Sequence, residues 1–160
     1  MTVDLLMSKS AIRVQNALAS AGLSARVVEL PQSTRTAADA AKAIGCEVGQ
    51  IAKSLVFRAK SGHPVLVIAS GTNRVNESSI ASAIGEPIGK ADAEFVRERT
   101  GYAIGGVPPV GHSESIRTFI DEDLLRFDRI WAAAGTPNAV FELSPAELPR
   151  LTGGAVVRVI

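Results

Sequence analysis

Aromatic residues are scarce in this chain of 160 residues: five Phe, one Tyr and one Trp, 4% in all. That scarcity excludes a stacking platform for a run of single-stranded bases. Cysteine is nearly absent. One residue, Cys46, cannot form an intramolecular disulfide framework or a cysteine-rich zinc site. Neither sign of charge dominates, with 17 Lys and Arg against 16 Asp and Glu and a formal net charge of +1. A strongly basic nucleic-acid coat is thereby excluded, although a local basic patch is not. No window reaches the ~18–20 uninterrupted apolar residues of a membrane span. The opening MTVDLLMSKS sets Asp4 inside its only apolar stretch with no basic region before it, so no targeting segment is read there and a cytoplasmic location is expected. Common catalytic signatures are missing too: there is no GxSxG elbow, HExxH, P-loop or CxxC. Gly101–Gly106 (GYAIGG) is not a dinucleotide fingerprint, because prolines rather than a helical pattern follow it. The histidines His63 and His112 have no metal-ligand spacing, and neither a metal nor a cofactor is expected.

What is present is an ordinary globular composition, 46% hydrophobic and 21% charged. The length suits one domain, read as residues 1–160 with residues 1–23 as an N-terminal helical extension. Helices are expected over Ser8–Gly22, with Ile12, Val14, Leu18 and Ala19 on its apolar side, and over Thr36–Ile44, Asn76–Ile84 and Ala91–Thr100. A short fifth helix opens at Ser144-Pro145, with serine as cap and proline at the first position. Strands are expected at Arg26–Leu30, Ile51–Arg58, Pro64–Ser70, Arg117–Ile120, Arg129–Ala134, Ala139–Leu143 and Ala155–Ile160, with a helical turn at Asp121–Leu125. Ser61-Gly62 turns the second and third of these strands into a hairpin, and the apolar run PVLVIAS predicts burial on both faces. Roughly seven strands and five helices in irregular alternation give a mixed α/β fold, a twisted mixed sheet or partial barrel flanked by helices.

Few residues carry chemistry. Lys53 opens an apolar strand, where its stem can lie on apolar surface while the ammonium meets a phosphate or ester oxygen; a solvated strand-end lysine is the plainer reading. The loop Gly105-Gly106-Val107-Pro108-Pro109-Val110-Gly111-His112 combines glycines that allow close approach with prolines that hold one shape. Such a loop can aim N–H groups at an oxyanion, or it is a crossover forced by topology. His112 is either a proton donor near pH 7 or a structural hydrogen-bonding residue. The turn Ser70–Asn76 can bring Asn73 and Arg74 to a cleft mouth or merely cap the next helix, and the turn Gly135–Asn138 is similar. Cys46 follows a helix C-terminus, where the dipole opposes a thiolate, and reads as structural. Trp131 reads as core.

These pieces carry a resemblance. Ser33-Thr34-Arg35-Thr36-Ala37-Ala38-Asp39-Ala40-Ala41, Gln50-Ile51-Ala52-Lys53-Ser54-Leu55-Val56-Phe57, Ala69-Ser70-Gly71, Ile104 to His112 and Ala134-Gly135-Thr136-Pro137-Asn138 follow one another in an order and spacing similar to the YbaK-type, aminoacyl-tRNA synthetase-associated domain family. Its members include freestanding prolyl-tRNA editing proteins, and the resemblance runs from about Ser24 to Ile160. It implies hydrolysis of the ester joining a wrong, small amino acid to the tRNA 3′-terminal adenosine, with tRNA-Pro as the type. Lys53 matches the family's conserved lysine, and Gly105 through Pro109 its GxxxP loop. The resemblance implies that the lysine contacts the terminal phosphate or the ester, that the loop surrounds the scissile carbonyl, and that water helped by a ribose hydroxyl attacks. Lys53, Gly105 and Gly106 are thus the expected catalytic set. Thr34, Ser70, Asn73, Val107, Pro108, Pro109, His112, Gly135 and Asn138 are the expected substrate contacts.

From position, Ile51, Val67, Ala69 and Val107 are expected as pocket walls, and Lys53, Arg35, Arg58, Lys60 and Arg74 as a local basic cluster. The expected partner is the acceptor end of an aminoacyl-tRNA, with a synthetase or elongation factor supplying further recognition. Two alternatives stay open at this point: a non-catalytic module that binds a nucleotide or acceptor end, and a hydrolase for another small acyl ester.

Overall fold

A computed structural model describes residues 7–160. The reading of the chain's opening, Asp4 included, lies outside the described residues.

Helix α1 (Lys9–Ser20) starts where the Ser8 hydroxyl accepts from the Ala11 N–H at 3.1 Å. It buries Ala11, Val14 and Leu18, whereas Ala19 is exposed and Ile12 only half-buried, so the apolar stripe lies one step round from the expected one. Strand β1 (Val27–Glu29) leads to α2 (Ala37–Ile44), capped by the Thr36 hydroxyl and ended by Gly45 in the left-handed region at φ 85°. A 3₁₀ turn at Val48–Gln50 feeds β2 (Ile51–Ala59), which turns back into β3 (Pro64–Ser70) as the expected hairpin. Every residue of β3 is buried, as its unbroken apolar run requires. Leu66 and Ile68 are fully enclosed, each worth about 1.5–3 kcal/mol of burial.

Helix α3 (Glu77–Ile84) is capped by the Asn76 side chain, and α4 (Ala93–Thr100) by Asp92. Between them runs β4 (Ile88–Lys90), an eighth strand that the sequence did not reveal. It has three residues, one a glycine, and owes its strand form to pairing with Phe57–Ala59 of β2. Strand β5 (Arg117–Asp121), a 3₁₀ turn at Glu122–Arg126, β6 (Ile130–Ala133) and β7 (Ala139–Leu143) follow. In α5 (Glu147–Thr152) the Ser144 hydroxyl is not the cap. The carbonyls of Ser144 and Pro145 accept from Glu147 and Leu148 instead. Strand β8 (Ala155–Val157) stops three residues short of the expected end.

Among the described residues the eight strands form one open mixed sheet in the order β1-β7-β6-β2-β3-β5-β8, with β4 on β2 as a side branch. Pairings β2·β6, β3·β5 and β5·β8 are parallel and the rest antiparallel. Side chains alternate across the sheet. On one face Ala52, Leu66 and Ile68 meet α1, α4, Tyr102 and Val107. On the other, Val65, Val67 and Ala69 meet Ile80, Phe119 and Val159.

One feature of this topology positions the site. The ladder to β6 reaches only Ile51 and Ala52 of β2, and the ladder to β4 takes up again at Phe57. Between them, Lys53–Val56 has a strand neighbour only on the β3 side. The sheet parts there.

Candidate active site

The parting in the sheet opens into a cleft of about 470 Å³, inside the roughly 300–1,000 Å³ of small-molecule sites. Its floor is the unpaired edge of β2. One wall is the start of α2 with Thr34 and Arg35 before it, and the facing wall is the Ile104–Val107 stretch with Val96 and Lys90. Ala132 and Trp131 of β6 close one end. The lining carries three cations, Arg35, Lys53 and Lys90, and no carboxylate among the described residues. The rest is almost wholly apolar.

Lys53 lies opposite Ala69 and forms no ion pair among the described residues. Burial holds its ammonium below the usual lysine range, and the nearby Asp121 carboxylate partly offsets that. Asp121 is itself buried. It accepts from the Ser70 N–H at 2.9 Å, the Asn73 side-chain amide at 2.8 Å and the Asp123 N–H at 2.9 Å. It therefore ties the turn after β3 to the end of β5, directly beside the lysine's strand end.

Three segments are fastened together behind the loop wall. The Gly135 N–H donates to the Gly106 carbonyl at 2.8 Å, the Thr34 hydroxyl to the Pro137 carbonyl at 2.9 Å, and the Asn138 side-chain amide to the Leu30 carbonyl at 3.0 Å. Gly106 is a close-approach glycine: a Cβ there would sit 2.9 Å from Thr136 Cα and N. Its N–H is already given to Ala103. The amides of Ile104, Gly105 and Val107 make no hydrogen bond among the described residues, and all three residues line the cleft. Gly105 has φ +89°, and a side chain there would run into Arg35. Farther along, the loop is braced from within. The Tyr102 hydroxyl donates to the Gly111 carbonyl at 2.8 Å, and His112 Nε2 meets the Pro108 carbonyl at 2.7 Å. A carbonyl only accepts, so Nε2 carries the proton. Burial pushes the His112 pKa down, with the Pro108 hydrogen bond working the other way.

Of the residues singled out from sequence, the fold brings Lys53, Gly105, Thr34 and Val107 together around one cleft. It sets the others in supporting places. Ser70 is buried and gives its hydroxyl to the Gly49 carbonyl. Asn73 is bound to Asp121 and Asp123 and lines a shallow groove on the far side of Lys53. Pro108 and Pro109 are buried within the loop, and Gly106, His112, Gly135 and Asn138 hold its shape. Among the expected pocket walls, Ile51 and Val107 line the cleft, but Val67 and Ala69 face the opposite core with Ile80 and Phe119. Of the expected basic cluster only Arg35 and Lys53 line the cleft. Arg58 lies over the Phe95 ring at 4.9 Å. Trp131, expected in the core, is half-buried at the cleft. Burial pushes the Cys46 thiol up, against any nucleophilic role. No local sequence pattern marks Lys90, Asp121 or Ser54 as site residues: Lys90 and Asp121 matter only through tertiary neighbours, and Ser54 reads as an ordinary strand serine.

The sequence pattern of the aminoacyl-tRNA editing domain matches residues 31–151, a span holding both cleft walls and the whole supporting set. The chain belongs to this family. Within it, the chain is 34% identical over 122 residues to the uncharacterized protein YwhH of Bacillus subtilis, covering 76% of this chain and 78% of that one. It is 28% identical over 120 residues to EbsC of Enterococcus faecalis, named as a candidate Cys-tRNA(Pro)/Cys-tRNA(Cys) deacylase, covering 74% and 73%. The fold matches a crystal structure described as a candidate trans-editing enzyme for prolyl tRNA synthetase, with a TM-score of 0.90 and 51% identity over 96% of this chain and 98% of that one. An editing domain of this family acts on aminoacyl-tRNA, and its relatives named as deacylases support a deacylase role. No helix among the described residues is long and apolar enough to cross a membrane.

Proposed function

We propose that this protein is a freestanding trans-editing hydrolase that removes a small, wrong amino acid from tRNA of the tRNA-Pro type. The observation that carries the reading is the cleft itself, apolar but rimmed by Lys53, Arg35 and Lys90 with no carboxylate. Three cations and no anion suit the phosphodiester end of a nucleic acid, while the apolar interior suits a small side chain. The acceptor end alone enters, which agrees with a net charge of +1 over the whole chain.

In this mechanism the Lys53 ammonium holds the terminal phosphate or the ester oxygen. The Gly105 and Val107 amides face the scissile carbonyl, where an N–H donor is worth about 2.7–4 kcal/mol in the transition state. Gly105 lacks a side chain that would keep the ester away. Water, helped by a ribose hydroxyl of the substrate, adds to the carbonyl carbon. The bond from that carbon to the ribose oxygen breaks, the ribose oxygen takes a proton, and a free amino acid and uncharged tRNA leave. No protein nucleophile is required, in keeping with the raised Cys46 thiol. A synthetase or elongation factor supplies the recognition of the rest of the tRNA.

The test follows release of labelled amino acid from a panel of mischarged tRNAs with the wild type and Lys53→Ala. Turnover of one or more small aminoacyl-tRNAs is expected, with kcat/KM reduced by roughly 100-fold in the variant, the scale of one charged transition-state contact. Saturable binding of tRNA without turnover, turnover of simple acyl esters in preference to aminoacyl-tRNA, or an unimpaired Lys53→Ala enzyme would each refute the proposal.

A further inference from the structure

Ser54 is the one described residue whose buried side-chain polar atom has no hydrogen-bond partner. Nine in ten or more buried polar groups are partnered, so an orphan in a cleft wall is a signal rather than noise. Its position sharpens that signal. Ser54 alternates with Ala52 and Val56, which belong to the core shared with Val96 and Val107, while Lys53 alternates onto the opposite face of β2 and borders the same cleft at the strand edge. The Ser54 hydroxyl is thus a single polar group on an apolar wall, and it lies on the stretch of β2 that lacks a second strand neighbour.

Exposure decides what the hydroxyl meets. The tRNA is a macromolecule and stays outside; its ester is the tether. Lys53 is part-exposed and suits the phosphate end, whereas the Ser54 oxygen is shut from solvent. What reaches a group shut from solvent in the cleft wall is the free end of the substrate, its amino-acid side chain. We propose that Ser54 is a specificity-determining residue of this site, its hydroxyl hydrogen-bonding a hydroxyl or thiol on the β-carbon of the aminoacyl group. The inference rests on the deacylase reading above. Under it the enzyme favours seryl and cysteinyl esters over the alanyl ester, which has no atom for Ser54 to bind. An apolar wall alone discriminates weakly among these three similar side chains, while a site built around a hydrogen bond discriminates strongly.

The experiment uses one tRNA-Pro transcript charged in turn with serine, cysteine and alanine, and the full-length wild type, Ser54→Ala and Ser54→Thr. In the wild type, kcat/KM is expected to be at least tenfold higher for the seryl or cysteinyl ester than for the alanyl ester. Ser54→Ala is expected to lose roughly 10- to 100-fold on the polar substrates, the scale of stranding a buried polar group, and to change little on alanyl-tRNA. Ser54→Thr, which keeps the hydroxyl, restores part of the preference. The melting temperature of Ser54→Ala is expected to equal or exceed that of the wild type, because no internal hydrogen bond is lost. A wild type that prefers alanine, a loss shared equally by all three substrates, or a variant that is simply destabilised would overturn the role given to Ser54. A hydroxyl bound only to water would leave all three rates unchanged, which also overturns it. Absence of turnover by the wild type on every substrate overturns the deacylase reading itself and is recognisable as such.

Discussion

Replacing Gly106 with alanine tests whether the loop and the Gly135–Asn138 turn act as one rigid wall. Gly106 is not in the left-handed region, so alanine meets no backbone strain. Its cost is steric. The added Cβ would sit 2.9 Å from both Cα and N of Thr136 and 3.0 Å from the Gly135 carbonyl carbon. All three are backbone atoms, and none can swing aside as a side-chain tip would. Overpacking of this kind costs about 1–3 kcal/mol. If the loop recoils, the 2.8 Å hydrogen bond from the Gly135 N–H to the Gly106 carbonyl stretches as well. That adds about 1 kcal/mol. A total of about 2–4 kcal/mol lowers the melting temperature by roughly 5–15 °C for a chain of this size. The recoil also carries Gly105 and Val107 away from the cleft. Misplacement by about 1 Å can cost 100-fold in rate, so a shift of a few tenths is expected to cost several-fold to tenfold in kcat/KM. The control is Gly62→Ala, at φ +93° with nothing within 4 Å of the new Cβ. It meets only the left-handed penalty of about 1–2 kcal/mol and leaves the cleft alone. Thermal melts and deacylation rates for both variants decide the matter. If Gly106→Ala melts no lower than Gly62→Ala and deacylates at the wild-type rate, the wall is soft and the reasoning fails.

Two further outcomes follow from the same geometry. His112 has a folded-state pKa below its ordinary value of about 6.5, so the unfolded chain binds more protons in the window beneath that pH. Stability is therefore expected to fall as pH drops below about 6.5 until the folded pKa is passed, and His112→Gln, which can still donate to Pro108, should flatten that part of a pH series of melts. Asp121→Ala strips three donors of one buried acceptor and is expected to destabilise by at least ~3 kcal/mol in a denaturant titration; a loss under 1 kcal/mol would show the network to be dispensable.

Much of the fold was legible because local chemistry and tertiary context agree. Thr36 and Asn76 cap the helices they precede, Gly45 ends α2, and PVLVIAS is buried on both faces as its composition demands. Strand β4 was not legible, since Ile-Gly-Lys has no alternation of its own and becomes a strand only against Phe57–Ala59. The pocket walls failed in part for a related reason. Ala69 lies directly opposite Lys53 but packs into the core on the far face of the sheet. The cleft, however, opens on the other edge of β2, and which partner strand stops where is invisible in the strand's own residues. The loop and the Gly135–Asn138 turn were found as motifs. Their division into residues that face the cleft and residues that hold the wall depends on hydrogen bonds across some 30 to 100 positions of sequence.

The break in strand pairing along β2 also sets a ruler. Strand residues advance about 3.3 Å each, so the four positions from Lys53 to Val56 leave a slot about 13 Å long. That length changes only in whole steps. One more paired residue on β6 or β4 would shorten the slot by about 3.3 Å, and one fewer would lengthen it by as much. Relatives sharing this sheet can therefore resize the site without replacing one cleft residue, simply by where two short ladders end.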